Sequence, residues 1–75
     1  MILVVGATGQ LGTAITRKLV AAQQPVRAFV RHSSDYRHLQ ALDVDLAFGD
    51  LREPATVQAA CQGITTIIST ANGVI

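Results

Sequence analysis

The stretch Gly6-Ala7-Thr8-Gly9-Gln10-Leu11-Gly12 decides how this chain folds. It follows the apolar run Met1-Ile2-Leu3-Val4-Val5 and opens a segment in which Leu11, Ala14, Ile15, Leu19 and Ala22 recur at helical spacing. The unbroken apolar run, rich in β-branched residues, reads as a fully buried parallel strand over 1–5. The periodic segment reads as a helix over 10–22, with Thr13, Arg17 and Lys18 on its other faces. Gln23-Gln24-Pro25 ends it, because proline disfavours helical geometry in the residue before it. A glycine-rich turn between a buried strand and a helix is a site for the phosphates of a dinucleotide. One glycine makes the tight turn, one lets backbone approach the pyrophosphate, and one allows close packing of helix on strand. The helix start adds unpaired N–H groups and the positive end of its dipole. The flanking strand and helix raise the motif above a bare glycine triplet, which also serves ligand-free βα turns. A phosphate loop of the G-x-x-x-x-G-K-[ST] type is excluded, since Lys18 lies inside the helix, away from the turn.

Working outward, residues 26–31 alternate. Val26, Ala28 and Val30 lie on one face, Arg27, Phe29 and Arg31 on the other, which is the pattern of a second strand. Ser33-Ser34-Asp35 supplies N-cap residue types for a short helix over 35–41. Val44, Leu46 and Phe48 mark a third strand closed by Gly49-Asp50. Pro54 suits a first helical turn, and the helix it opens runs to about Gln62, with Gly63 as its stop. The β-branched segment 64–70 is a fourth strand. Strands alternating with helices predict an α/β fold: a Rossmann-type, doubly wound parallel sheet built β-α-β-α-β-α-β, with strand order 3-2-1-4. The ligand crevice then falls where the order reverses, between the first and fourth strands.

The end of the second strand reads the cofactor. A dinucleotide site that binds NAD places a carboxylate about 20 residues beyond the glycines, to bond the ribose 2′-hydroxyl; an arginine accommodates a 2′-phosphate instead. Arg31 holds that position, followed by His32 and Ser33 with further donors. A guanidinium binds phosphate through two hydrogen bonds, so NADP is expected ahead of NAD. Asp50, at the end of the third strand, is placed to accept from an adenine amino group, or to cap the helix that begins near Pro54; the two roles can coexist. Leu51 is placed to pack on the ring. The small residues Ser69-Thr70-Ala71-Asn72-Gly73 let ribose and phosphates pass close to backbone, although Asn72-Gly73 also fits a turn and Thr70 a cap.

Other residues carry less. Cys61 is expected to be a buried structural thiol. His32 and His38 lack metal-ligand spacing and partners. Tyr36 is expected on the surface. The chain has 75 residues, 49% hydrophobic and 15% charged, with a net charge of +1. So apolar a composition in so short a chain points to the front of a larger domain, with residues 1–75 as the N-terminal half of a dinucleotide-binding unit whose remainder, together with the substrate-binding part, lies elsewhere. No basic run suggests nucleic acid, and the sequence pI of about 8.0 falls short of a basic binding face. No apolar stretch reaches the length of a membrane span. No signal segment is evident, and the single cysteine fits a reducing, cytoplasm-like compartment.

Taken in order, Gly6 to Gly12, Val26-Arg27-Ala28-Phe29-Val30-Arg31, Gly49-Asp50-Leu51, Glu53-Pro54 and the Gly63 stop resemble the N-terminal part of NmrA-like proteins, within the atypical short-chain dehydrogenase/reductase superfamily. The resemblance covers essentially the whole chain. It implies that Gly6, Thr8, Gly9, Gln10, Leu11 and Gly12 wrap the pyrophosphate, that Arg31 holds the 2′-phosphate, and that Asp50 and Leu51 contact adenine. It places Thr70 and Ala71 near the ribose and the nicotinamide. Many short-chain enzymes use a Tyr-x-x-x-Lys pair; here Tyr36 is followed by Gln40, so this segment carries no such dyad. The resemblance implies an NADP-dependent oxidoreductase acting on a small organic substrate, or a non-catalytic NADP-sensing regulator or assembly factor.

Overall fold

A computed structural model describes residues 1–70. Its elements are β1 (Ile2–Val5), α1 (Gln10–Ala21), β2 (Val26–Val30), α2 (Arg37–Gln40), β3 (Asp45–Phe48), α3 (Pro54–Ala60) and β4 (Thr66–Ser69). All strand pairs are parallel, and the sheet order is β3-β2-β1-β4, as the alternation of strands and helices predicts. Ile2 stands opposite both Val26 and Thr66, and Val5 opposite both Phe29 and Ser69. The C-terminal ends of β1, β2 and β4 are therefore level, and the glycine turn leaves the sheet between β2 and the edge strand β4.

Period-two alternation divides the core between the two faces of the sheet. Val4, Val26, Ala28 and Val30 pack with Leu39 of α2 and with Leu19 of α1. Leu3, Val5 and Phe29 pack on the other face with Ala60 and Val57 of α3. α1 and α2 thus cover one side and α3 the other, which is the double winding expected of right-handed crossovers.

The buried face of α1 differs from the apolar stripe expected of it. Leu11, Ala14 and Ala22 are exposed, while Gly12 and Thr16 are the buried residues, flanked by Ile15 and Leu19. Backbone proximity decides this rather than hydrophobicity. Gly12 and Thr16 lie four residues apart on the side nearest the sheet, and Thr16 Oγ1 donates to Gly12 O at 2.7 Å. That bond satisfies the buried hydroxyl and removes the main cost of burying it.

Other local departures have equally local causes. α2 begins at Arg37, two residues after the Ser33-Ser34-Asp35 cluster ends, and its N-cap is Tyr36 with no side-chain cap. Asp35 instead accepts from the Arg37 N–H and pairs with the Arg37 guanidinium at 3.0 Å. Tyr36 is half-buried rather than on the surface, because its ring meets Phe48 edge-on at 5.1 Å. Phe48 itself is 36% exposed, since β3 is an edge strand. Cys61 is half-buried at the end of α3, not fully enclosed. Gly63, at φ 75°, turns the chain away after α3 as expected of a helix stop.

At the lower end of the sheet Arg27 joins three elements. It pairs with Asp45 of β3 at 2.8 Å and donates to Ala60 O and Gln62 O, both at 2.7 Å. These are carbonyls that the end of α3 leaves without intrahelical partners.

Candidate functional site

The site is built on the glycine turn. Gly6 has φ 79°, a conformation that a side chain strains, and it swings the chain out of β1. Gly12 has a different constraint. A Cβ there would overlap the Gly6 carbonyl and stand 2.8 Å from Ala7 Cα, so α1 approaches the turn as closely as backbone permits. Gly9 has neither constraint: its backbone is extended, at φ −74° and ψ 170°, and an added Cβ would meet only Gly6 O, at an ordinary 3.5 Å. Gly9 is also the N-cap of α1 and offers no side chain to cap it. The first backbone bond of the helix runs from Thr13 N–H to Gly9 O. The N–H groups of Gln10, Leu11 and Gly12 have no backbone acceptor among the described residues, which leaves three donors at the positive end of the helix.

Beside this turn the C-terminal ends of β1, β2 and β3 open into a cleft of about 330 Å³. It is lined by Val5, Gly6 and Thr8 from β1 and its turn, by Phe29, Val30 and Arg31 from β2 and its end, and by Asp50 and Leu51 from beyond β3. The fold thus brings the first glycine of the turn together with the residues that end the second and third strands. Ser34 and Arg52, which belong to no nucleotide-binding motif in the sequence, also line the cleft. Ser34 sits in a turn whose N–H returns to Arg31 O at 3.0 Å. Arg52 carries a signal that sequence reading can use: an aspartate two residues before an arginine at a strand end.

Asp50 and Arg52 form one unit. Asp50 Oδ1 accepts from the Arg52 N–H at 2.9 Å, and Oδ2 accepts from Arg52 Nη2 at 2.7 Å. These bonds, with Arg31 nearby, hold the Asp50 carboxyl at about 2, well below the usual carboxylate range. Asp50 is not the cap of α3: that position is Glu53, which forms no side-chain cap bond. Thr56 secures the loop instead. Its hydroxyl accepts from Asp50 N–H at 3.0 Å and faces Asp50 O and Glu53 O at 2.9 and 2.7 Å. Gly49 accommodates this knot, since a Cβ there would lie 2.6 Å from the Thr56 side chain. Among the described residues Arg27, Arg37 and Arg52 pair with carboxylates, whereas Arg31, exposed at the cleft rim, forms no ion pair.

Other expected site residues stand apart from the cleft. His32 does not line the cleft and stacks on Phe48, with ring centroids 4.4 Å apart and an interplanar angle of 10°. The Leu11 side chain is 63% exposed at the start of α1. Thr70 extends the β4 pairing, donating its N–H to Val5 O at 2.9 Å, and its hydroxyl lies 2.9 Å from Val5 O and 3.1 Å from Gly6 O. It ties the end of β4 to the start of the glycine turn. Ala71 lies outside the described residues. Among those residues no cluster of histidine, cysteine and carboxylate side chains could hold a metal, and no helix is long and apolar enough to cross a membrane.

The profile of the NmrA-like family matches residues 1–74. The chain belongs to the NmrA-like family. Relatives of this NmrA-like chain include the NAD(P)H azoreductase of Xenophilus azovorans, 46% identical over 67 residues, which cover 89% of this chain and 23% of that protein. Sterol demethylase protein B of Methylococcus capsulatus is 44% identical over 69 residues, 92% of this chain and 21% of that protein. The Photosystem II assembly factor Ycf39 of Cyanophora paradoxa is 39% identical over 69 residues, 92% and 22% of the two chains. Among solved structures, the triphenylmethane reductase of Citrobacter sp., crystallised with NADP(H), superposes with a TM-score of 0.76 and 35% identity, over 88% of this chain and 24% of that one. The chain spans between a fifth and a quarter of the length of these proteins.

Proposed function

We propose that residues 1–75 form the N-terminal half of an NADP(H)-binding Rossmann domain. The protein it serves is an oxidoreductase that transfers hydride to a small organic substrate held by sequence beyond β4. The observation that carries this reading is the unpaired Arg31 at the rim of the cleft that begins at Gly6. A nucleotide seated there meets one uncompensated cation, placed where a 2′-phosphate extends from the adenosine ribose. Arg52, neutralised by Asp50, adds little net charge of its own.

The chain's own geometry fits such a group. Gly9, at the N-cap of α1, has a bare Cα that leaves room for a phosphate to approach the backbone there. The three free N–H groups of Gln10, Leu11 and Gly12 suit a pyrophosphate. Asp50 has two oxygens and about four acceptor positions. Arg52 takes most of them and leaves room for one amino proton of adenine. Leu51, 55% exposed, offers its side chain to the ring face. Thr70, tied to Val5 and Gly6 at the start of the turn, lies where ribose and nicotinamide would pass. The bound dinucleotide would supply the hydride; this segment binds and orients it. The likeness to the NAD(P)H azoreductase supports a reductase, and the single cysteine fits a reducing, cytoplasm-like compartment.

A second reading is favoured by the assembly factors among the relatives: a protein that binds NADP(H) and acts without turnover. Parallel fluorescence titrations of NADPH and NADH on the full-length protein test the cofactor reading. Tight NADPH with weak NADH is expected, and binding of neither cofactor would refute it. NADPH oxidation with a quinone or an azo dye as acceptor separates the enzyme from the regulator.

A further inference from the structure

The two halves of this site come from different crossovers: the turn before α1 holds Gly6 to Gly12, and the connection after β2 holds Arg31. One side-chain chain joins them. Thr13, in the first turn of α1, places its Oγ1 2.9 Å from Ala7 O and 3.0 Å from Nε2 of His38 on α2. A carbonyl only accepts, so the single hydroxyl proton of Thr13 goes to Ala7 O. The remaining contact then requires a donor, and His38 Nε2 must carry a proton. The direction is fixed: His38 Nε2–H donates to Thr13 Oγ1, and Thr13 Oγ1–H donates to Ala7 O. Thr13 also donates its N–H to Gly9 O at 2.9 Å. It therefore grips the turn at two carbonyls, with Thr8 between them. His38 and Thr13 are both half-buried beside Gly9 and Gln10, so solvent competes only partly with these bonds.

We propose that His38 is a positioning residue of the dinucleotide site, which through Thr13 holds the glycine turn in its phosphate-binding shape. The proposal rests on the dinucleotide reading above. His38 touches no part of the cofactor in this scheme, so its effect falls on the pyrophosphate cradle and is the same for both cofactors. Glutamine preserves a donor near the position of Nε2; leucine fills the space without one.

The test uses the full-length protein. NADPH and NADH affinities are measured for wild type, His38→Gln, His38→Leu, Thr13→Val and the double variant His38→Leu/Thr13→Val. The loss of one neutral hydrogen bond corresponds to a weakening of about two- to tenfold. That loss is expected for His38→Leu and for Thr13→Val, equally for both cofactors. His38→Gln is expected within about twofold of wild type, and the double variant no weaker than the worse single one. Losses that multiply in the double variant, a glutamine variant as weak as leucine, or a defect confined to NADPH would each overturn the proposal. Independently of any cofactor, nitrogen-15 NMR of wild-type His38 is expected to show the proton on Nε2 in the neutral ring. A proton on Nδ1 instead would refute the tie. Should wild type bind neither cofactor, the dinucleotide reading fails, and the NMR result still decides whether the tie exists.

Discussion

A Cβ on Gly12 would overlap the carbonyl oxygen of Gly6, whereas the same atom on Gly9 would rest at ordinary contact distance from that oxygen. One motif therefore contains glycines of two kinds. Gly12→Ala forces α1 away from the turn and is expected to cost about 1–3 kcal/mol of stability, the usual penalty of overpacking. Gly9→Ala is expected to cost less than about 1 kcal/mol, since it changes only an uncapped helix start. It should nonetheless weaken both cofactors at least tenfold, by pushing a methyl group toward the pyrophosphate. Urea unfolding paired with cofactor titration checks both. A Gly9→Ala variant that binds normally would show that no ligand approaches this backbone.

Much of this was legible in the sequence, and the boundary has a physical cause. Strand order, crossover pattern and the convergence of Gly6, Arg31, Asp50 and Leu51 follow from alternation, turn residues and the rules of parallel sheets. Those features depend on backbone and on the order of elements. The buried face of α1 did not follow, because Gly12 and Thr16 are buried by close approach and a local hydroxyl bond, neither of which hydrophobicity registers. The side-chain partners at the cleft were hidden for a related reason. His32 had an aromatic alternative in Phe48, brought beside it by the β2–β3 pairing. The contact of His38 with Thr13 joins residues 25 apart and follows only from where α2 lands on the sheet face.

Replacing Arg31 separates the two cofactors. Arg31→Asp puts a carboxylate where the 2′-phosphate is expected and exchanges attraction for repulsion. NADPH affinity should fall by about 100-fold or more, as charged hydrogen bonds are lost and a like charge is gained, while NADH changes by less than about threefold. Titration of both cofactors on the same preparation measures this. Equal losses would remove Arg31 from the 2′-phosphate site.

The pH dependence of that preference follows from the phosphate and not from Asp50. A phosphate monoester loses its second proton near pH 6, so the NADPH-to-NADH affinity ratio should decline as pH falls from about 7 to about 5. Asp50 sits at about 2 in the folded chain, below its ordinary value of 3.8, because Arg52 bonds its ionised form. A lowered folded value means that its contribution to stability is complete above about pH 4 and is lost as pH falls from there through about 2. The stability difference between wild type and Asp50→Asn should therefore be constant from pH 5 to 8 and shrink below about pH 4. Urea midpoints across pH check it; a difference that changes between pH 5 and 8 would contradict the assignment of the Asp50–Arg52 pair.

Arg27 tests the scaffold apart from the site. Its side chain is 19% exposed, and its guanidinium serves Asp45, Ala60 O and Gln62 O at the end of the sheet opposite the cleft. The pair with Asp45 is half-solvated and should matter little, so Asp45→Asn is expected to cost under about 1 kcal/mol. The two carbonyls matter more. Removing their charged donor leaves the end of α3 short of partners, and Arg27→Met should cost about 2–3 kcal/mol. Lysine should recover only part, because a single ammonium cannot reproduce the fork that spans both carbonyls and the carboxylate. Cofactor affinity, measured where each variant remains folded, should stay within about twofold of wild type. Stability falls while binding holds only if α3 supports the sheet without shaping the cleft; a parallel fall in affinity would mean that the Asp50–Thr56 loop moves with the far end of its helix.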